Sequence, residues 1–415
     1  MISRARRTER GTVGVAIGSP IMDTLAVAPV RRPSPGNPST LFDSFFLGGF
    51  ECSSHRLRGG RRLDLLAATE HDLRTAEDYR LLAAYGIRSV RDGLRWHLIE
   101  RNPLRYDFSS FLPMLRASQD TRTQVIWDLM HYGWPDGIDI WSPAFIRRFA
   151  DFARATAQMV KAETDEIPFY TPVNEISFWA WGGGDTEYLN PFARGRGGEL
   201  KRILVRCVIA AMDAIREVDP RARFVLAEPL IYIFPKSPAA EDIRQADAYN
   251  EVQFEAVDLL SGRLEPELGG GPQYLDIMGV NFYYNNQWID GGRPVHLGEG
   301  LHRPLHELLA WAYNRYRRPF FIAETGTESG GRAPWLHYVC DEVAEARENG
   351  TPVEGVCLYP ILNHLGWDDD RHCHNGMFCG VAPNGARTVD VRLAAELKRQ
   401  QSLLANPDRR YAWIE

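Results

Sequence analysis

Phe169-Tyr170-Thr171-Pro172-Val173-Asn174-Glu175 is a short, β-prone apolar run that stops on an amide beside a carboxylic acid. Much later the chain repeats the pattern in Pro319-Phe320-Phe321-Ile322-Ala323-Glu324-Thr325-Gly326, again an apolar run that ends on a glutamate. Runs of this length, rich in aromatic and β-branched residues and bounded by breakers, read as buried strands. Parallel strands closed into a barrel present all their C-terminal ends on one face, so two acids far apart in sequence can converge on one pocket.

Six further segments fit the same frame. Phe45–Cys52 reads as the first strand, and helix Asp72–Tyr85, stopped by Gly86, precedes a second at Ile87–Trp96. A left-handed glycine just past a helix is its usual stop. Thr123–Leu129 is the third strand; Phe224–Glu228 is the fifth, after the amphipathic helix Leu200–Val218. Leu275–Phe282 is the sixth, after a helix predicted over Ala239–Leu260, and Val353–Tyr359 is the eighth, after helix Ala333–Asn349. Ser142-Pro143 opens another helix as N-cap and first helical residue, with one apolar stripe through Phe145, Phe149, Phe152 and Val160. Leu305–Tyr316 and Asp390–Leu404 complete the helices. Eight strands separated by helices predict an α/β chain with a single (β/α)8 TIM barrel over residues 41–415, with loop insertions. The breaker-rich stretch Arg31-Arg32-Pro33-Ser34-Pro35-Gly36-Asn37-Pro38 marks residues 1–40 as a disordered leader and linker.

Composition is that of a globular enzyme-sized protein: 415 residues, 44% hydrophobic and 25% charged. A net charge of −6 argues against a nucleic-acid surface. The six cysteines follow no regular framework and read as reduced thiols. No run approaches the roughly 18 apolar residues of a membrane span. Gly18, Ser19, Pro20 and Asp23 interrupt the mildly apolar stretch after the basic start, so no signal peptide is predicted and the protein is expected in the cytoplasm. No glycine loop joins a strand to a helix in the manner of a nucleotide site, so no cofactor is expected.

Asn174-Glu175 and Ile322-Ala323-Glu324-Thr325-Gly326 resemble the acid/base and nucleophile motifs of the retaining β-glycosidases of glycoside hydrolase family 1 and its wider clan of (β/α)8 barrels. The resemblance implies that Glu324 is the nucleophile, that Glu175 is the acid/base, and that Asn174 bonds the sugar hydroxyl beside the anomeric carbon. Arg91 matches an arginine lying under the nucleophile. His131, in His131-Tyr132-Gly133-Trp134-Pro135, matches the sugar-binding histidine of a His-Trp-Asp-Leu-Pro turn. Gly279-Val280-Asn281-Phe282-Tyr283-Tyr284 resembles Gly-Ile-Asn-Tyr-Tyr, which makes Tyr283 a donor to the nucleophile and Asn281 a substrate-binding residue; Trp367 matches the last tryptophan of the family's Trp-Ser-Leu-Leu-Asp-Asn-Phe-Glu-Trp and by the same resemblance is expected to bind substrate.

The sequence departs from the pattern at Gly133, Ile176, Tyr359 and Gly366, so no sugar specificity carries over. Glu51, His55 and Arg56 compete for the place of a sugar-binding glutamine, and Glu228 reads as a pocket-wall or substrate-contact residue. Phe178-Trp179-Ala180-Trp181-Gly182-Gly183-Gly184 reads as an aromatic loop for stacking on a sugar ring. The Asp368–His374 loop, with Cys379 beyond, has metal-ligand residue types without a zinc spacing, and no metal is predicted.

The expected function is a two-glutamate, double-displacement hydrolysis of a small-molecule β-glycoside or oligosaccharide. A transglycosidase using the same pair and a catalytically silent saccharide-binding barrel are the alternatives. A metal-dependent barrel hydrolase ranks behind them.

Overall fold

In the computed structural model, which describes residues 37–382 and 385–405, the apolar runs form β1 Phe46–Gly49, β2 Ser89–Gly93, β3 Gln124–Asp128, β4 Phe169–Thr171, β5 Arg223–Pro229, β6 Ile277–Asn281, β7 Phe320–Thr325 and β8 Val353–Leu358. Each pairs in parallel with the next, and β8 pairs with β1, so the sheet closes into an eight-stranded barrel. Helices including His71–Ala84, Pro143–Glu163, Gly197–Val218, Leu305–Tyr316 and Arg332–Glu348 surround it. The fold is the (β/α)8 barrel. Of the leader expected over residues 1–40, all up to residue 36 lies outside the described residues. From there the chain closes the N-terminal end of the barrel. Ser39 and Thr40 donate to the Glu354 carboxylate on β8, and the buried Phe42 packs its ring on Phe321 and Phe169, a burial worth about 1.5–3 kcal/mol.

Alternation along the strands creates two cores. Leu47, Ile126, Phe169, Val225, Ala227, Ile277, Phe321, Ala323 and Cys357 fill the barrel interior. Val90, Trp127, Tyr170, Phe224, Leu226, Val280, Phe320, Ile322 and Val356 face the helices. Strands buried on both faces read as near-continuous apolar runs, and that explains why they stand out in the sequence.

The same alternation sorts the polar residues. Arg91 shares a face with the interior, whereas Asp92 and Glu228 share faces with outward neighbours. Glu324 breaks the rule: it has the parity of the outward Phe320 and Ile322. The register slips here, with Val280 opposite Ile322 but Asn281 opposite Glu324, so Ala323 is an extra residue on β7. Such a bulge re-aims the side chain that follows it, and Glu324 turns into the barrel.

Three local expectations change. The helix predicted over Ala239–Leu260 is two, Ala240–Val252 and Glu255–Leu260. Asn250 pairs both the N–H and the carbonyl of Ile233, and Gln253 accepts from Ile231 N, so these amides hold a neighbouring strand where the helix breaks. Ser142 stands at its helix N-cap, but its hydroxyl donates to the Asp139 carbonyl instead of accepting from the helix. The aromatic loop is helical, Ile176–Trp179 running into a wide turn over Ala180–Asp185. Its glycines make room: a Cβ on Gly183 would lie 2.8 Å from Asn190 O, and one on Gly184 2.6 Å from Gly197 Cα.

Candidate active site

Glu175 follows β4 by four residues and adopts a left-handed conformation, φ 45° and ψ 63°. For a residue with a Cβ this costs about 1–2 kcal/mol, and the surroundings hold it there. Its N–H donates to Ala227 O at 3.0 Å. The next two N–H groups, of Ile176 and Ser177, donate to the Glu228 carboxylate at 2.6 and 3.0 Å. Glu228 is therefore corrected from a pocket-wall residue to a buried cap on the turn that carries Glu175, facing outward as the alternation on β5 requires. Burial pushes its pKa up to about 7 against the Ser177 and Ile176 donors.

The two candidate acids have different partners. Glu324 Oε1 accepts from Arg91 Nη1 at 2.8 Å, and Oε2 from the Tyr283 hydroxyl at 2.8 Å. Arg91 also donates to Asp128 Oδ2 at 2.6 Å, Asn174 Oδ1 at 2.9 Å and Ala323 O at 3.1 Å, so one buried guanidinium ties β2 to β3, β7 and the turn after β4. Glu175 receives only neutral donors: Tyr132 Oη on Oε2 and Asn281 Nδ2 on Oε1 at 2.9 Å. Burial raises both carboxyls, Glu324 to about 7, and the charge of Glu175 adds to the rise at Glu324. At Glu175 the like charge that adds to burial is that of Glu228, opposed by the Tyr132 and Asn281 donors. The guanidinium favours the charge on Glu324.

Beside this pair lies a second cluster. His131 Nδ1 is 3.1 Å from Asp128 Oδ2 and 3.2 Å from Cys52 Sγ, and its Nε2 is 3.1 Å from Asn174 Nδ2 and 3.7 Å from Glu51 Oε1. Burial works against charge on His131, but the Cys52 sulfur, Glu51 and Asp128 outweigh it and raise the imidazole well above the usual range. Burial pushes the Cys52 thiol up to about 12. The thiol is thus neutral near pH 7, which leaves Glu51 and Asp128 as the charges that hold the histidine proton. Cys52, Asp128 and His131 have the spacing of metal ligands. The donor set does not suit a metal: the Arg91 guanidinium already sits on Asp128 Oδ2 at 2.6 Å and places a fixed positive charge beside the cluster. In the Asp368–His374 loop, Arg371 pairs with Glu328 and Asp369 with its own loop backbone, and no metal-ligand group of that loop assembles among the described residues.

Aromatic rings form the wall. Tyr132 lies 5.3 Å from Trp367 and 5.7 Å from Trp179, and Trp367 reaches Phe178 at 6.0 Å. Trp179 is wholly buried, its indole bonded to Asn190 O, so it packs the structure; Trp181 and Tyr188 are the exposed rings of this segment. Tyr359 lies under Arg91 at 5.4 Å and parallel to His131 at 6.3 Å.

Arg91, His131, Asn174, Glu175, Asn281, Tyr283 and Glu324 are brought together, with Trp367 in contact with Tyr132. Arg56 is not: its guanidinium is on the surface, bonded to Asp136 and Gly60 O. Tyr132 and Asp128 are additions. The signal for Tyr132 is that it stands where the resembled turn has tryptophan; the signal for Asp128 is a carboxylate at a strand end three residues before His131. Gly133 has a spatial cause, since a Cβ there would lie 2.2 Å from Ser54 Oγ and leave no place for the aspartate of the pattern.

No protein-family model and no curated protein sequence matches this chain. Solved structures do. A family 1 β-glucosidase from Thermotoga maritima superposes with a TM-score of 0.69 at 14% identity, covering 88% of this chain and 97% of that one. A hyperthermophilic β-glucosidase mutant gives 0.69 at 16% identity over 85% and 98%, and the AHE enzyme from Alicyclobacillus herbarius gives 0.66 at 17% over 81% and 88%. At such identities the likeness is one of fold. The Thermotoga enzyme is also known in complex with glucoimidazole and with deoxynojirimycin.

Proposed function

We propose that this chain is a glycoside hydrolase, a retaining β-glycosidase acting on a terminal β-linked sugar. The observation that carries the reading is the unequal support of two buried carboxyls: a guanidinium and a phenol on Glu324, neutral donors alone on Glu175. Double displacement needs this asymmetry, an ionised nucleophile facing a protonated acid.

In the first step Glu324 Oε2 or Oε1 attacks the anomeric carbon while Glu175 gives its proton to the departing oxygen, whose bond to the sugar breaks. In the second, Glu175, now a carboxylate, takes a proton from water; the water oxygen bonds to the anomeric carbon and Glu324 leaves. Tyr283 and Arg91 fix the attacking carboxylate, and Arg91 also orients Asn174 towards the sugar. Trp367 and the exposed Trp181 and Tyr188 offer faces for the substrate's C–H surfaces.

The intact acid pair and its donors favour catalysis over a silent saccharide-binding barrel, and the Arg91-occupied cluster disfavours a metal-dependent hydrolase. Proton NMR of the first product from an activated β-glycoside tests the reading. Retention gives the β-anomer first; an α-anomer first would overturn double displacement.

A further inference from the structure

Glu175 is anchored by three successive N–H groups, its own and those of Ile176 and Ser177, and all three end on two neighbouring residues of β5. Ala227 O takes the first, and the two carboxylate oxygens of Glu228 take the others, one each. The resembled motif has proline where this chain has Ile176. Proline brings no N–H and fixes its own φ, so a turn built with it is stiff and needs no acceptor there. Ile176 brings an N–H into a buried place, where a donor left unpaired is costly. Glu228, 2% exposed, is the group that meets it. The isoleucine and the buried carboxylate thus do together what the proline does alone.

The exchange also sets a charge behind the acid. Glu175 accepts from Tyr132 and Asn281 as neutral donors, and His131, Tyr283, Glu324 and Glu228 face it as titratable neighbours. Glu228 faces the two amides and, from helix Gly197–Val218, the ammonium of Lys201, which is bonded to Glu255. Backbone amides on both oxygens and a nearby cation favour the charged form of a carboxyl. Glu228 therefore takes the charge, and a proton shared between the two goes to Glu175, the carboxyl that has to donate it.

We infer that Glu228 is a positioning residue for the proposed acid/base: it anchors the turn that carries Glu175 where the chain lacks proline, and its negative charge keeps the proton on Glu175. The inference rests on the proposed glycosidase reading for the use made of that proton.

Two readouts keep the two apart. Carboxyl-carbon NMR of glutamate-labelled full chain, with Glu175 assigned by its absence in Glu175→Gln, follows the proton without substrate. The pH–rate profiles of a nitrophenyl and an alkyl β-glycoside follow its use. Glu228→Gln keeps the shape, removes the charge and leaves one of the two amides without its acceptor. The Glu175 carboxyl should then lose its proton at a pH lower by about half a unit or more, and the basic limb of the profile should move down with it. For the alkyl glycoside, whose leaving group needs a proton, kcat should fall about tenfold with KM within about twofold; the nitrophenyl glycoside should lose much less. Glu228→Asp keeps the charge but is one methylene short of the amides, and it carries the test if Glu228→Gln does not fold. It should leave the Glu175 titration near that of wild type and lower kcat for the alkyl glycoside. A Glu175 titration unmoved in Glu228→Gln, or a Glu228→Asp with the kcat of wild type, would overturn the positioning role. A shifted titration without turnover of any glycoside would overturn the hydrolase reading and leave the role of Glu228 standing. Turnover with an unshifted titration would do the reverse.

Discussion

Arg91 and Asp92 are neighbours on β2 and face opposite sides of it, and the networks they centre differ in one respect. On the outer side, His71 bridges Asp78 and Asp92 at 2.8 Å each; Tyr79 donates to Asp92 Oδ2 at 2.6 Å and Gly93 N to Oδ1 at 2.8 Å. Arg387 donates to Asp78 with both Nε and Nη2 and to Thr69 O, and Phe50 stacks on the imidazole at 3.6 Å. No buried polar side-chain atom of His71, Asp78, Tyr79, Asp92 or Arg387 is left without a partner. On the inner side, Arg91 Nε, Asp128 Oδ1, Asn281 Oδ1 and both nitrogens of His55 are buried without one. The outer network is closed and serves the fold. The inner one is left open, and open polar atoms in a buried pocket are what a ligand completes.

The sharpest way to break the comparison is to remove Arg91. Arg91→Met leaves Asp128 and Glu324 buried as charges without their cation, which costs about 3–5 kcal/mol of stability, and turnover should vanish with it. Urea denaturation and activity on the same sample would show both. Glu175→Gln should leave the fold intact and lower turnover of glycosides with poor leaving groups by roughly 10²–10⁴-fold. Glycosides with good leaving groups should lose much less in the first step, because they need no proton.

The closed network makes a prediction of its own. Burial opposes charge on His71, but Asp92 and Asp78 win and raise its pKa from 6.5 to about 9. A raised folded-state pKa gives stability that is complete below about pH 6.5 and is lost as pH climbs through about 9. The rise is worth on the order of 3 kcal/mol at 1.36 kcal/mol per pKa unit. Denaturation midpoints at about pH 6 and pH 10 would measure it, and His71→Asn should flatten the difference. The smallest effect is expected from Tyr132→Phe. Losing a donor to the Glu175 carboxylate raises the pKa of that acid, so the basic limb of the pH–rate profile should move upward, with a change in rate of about tenfold or less. An unmoved limb would mean that Tyr132 acts only as wall.

Most of the barrel was legible because strands buried on both faces stand out as apolar runs, each punctuated by polar residues at its C-terminal end. Glu175 was marked by its place at such an end, whereas Arg91, His131 and Tyr283 were placed only by the resemblance to the family's motifs. Glu228 was misplaced for a reason the sequence contains, since its parity with Phe224 and Leu226 points it out of the barrel. Glu324 is the opposite case. Strict alternation would turn it outward, and only the extra residue at Ala323, invisible in a pattern of apolar positions, brings it opposite Asn281. The break between Ala240–Val252 and Glu255–Leu260 was equally hidden, because it depends on where the Asn250 and Gln253 amides reach in space. Tyr132 needed the structure too, since its bond to Glu175 is set by the fold of a turn at φ 62°.

The central claim is that Glu324, aimed inward by a bulge and held charged by Arg91, forms a covalent bond to the sugar. Intact-protein mass spectrometry after incubation with a panel of activated deoxyfluoro β-glycosides, which form the glycosyl-enzyme but hydrolyse it slowly, tests it most directly. The account predicts one added glycosyl mass, mapped by peptide analysis to Glu324 and absent in Glu324→Gln. An adduct on Glu175, or no adduct from a protein that binds deoxynojirimycin, would contradict it.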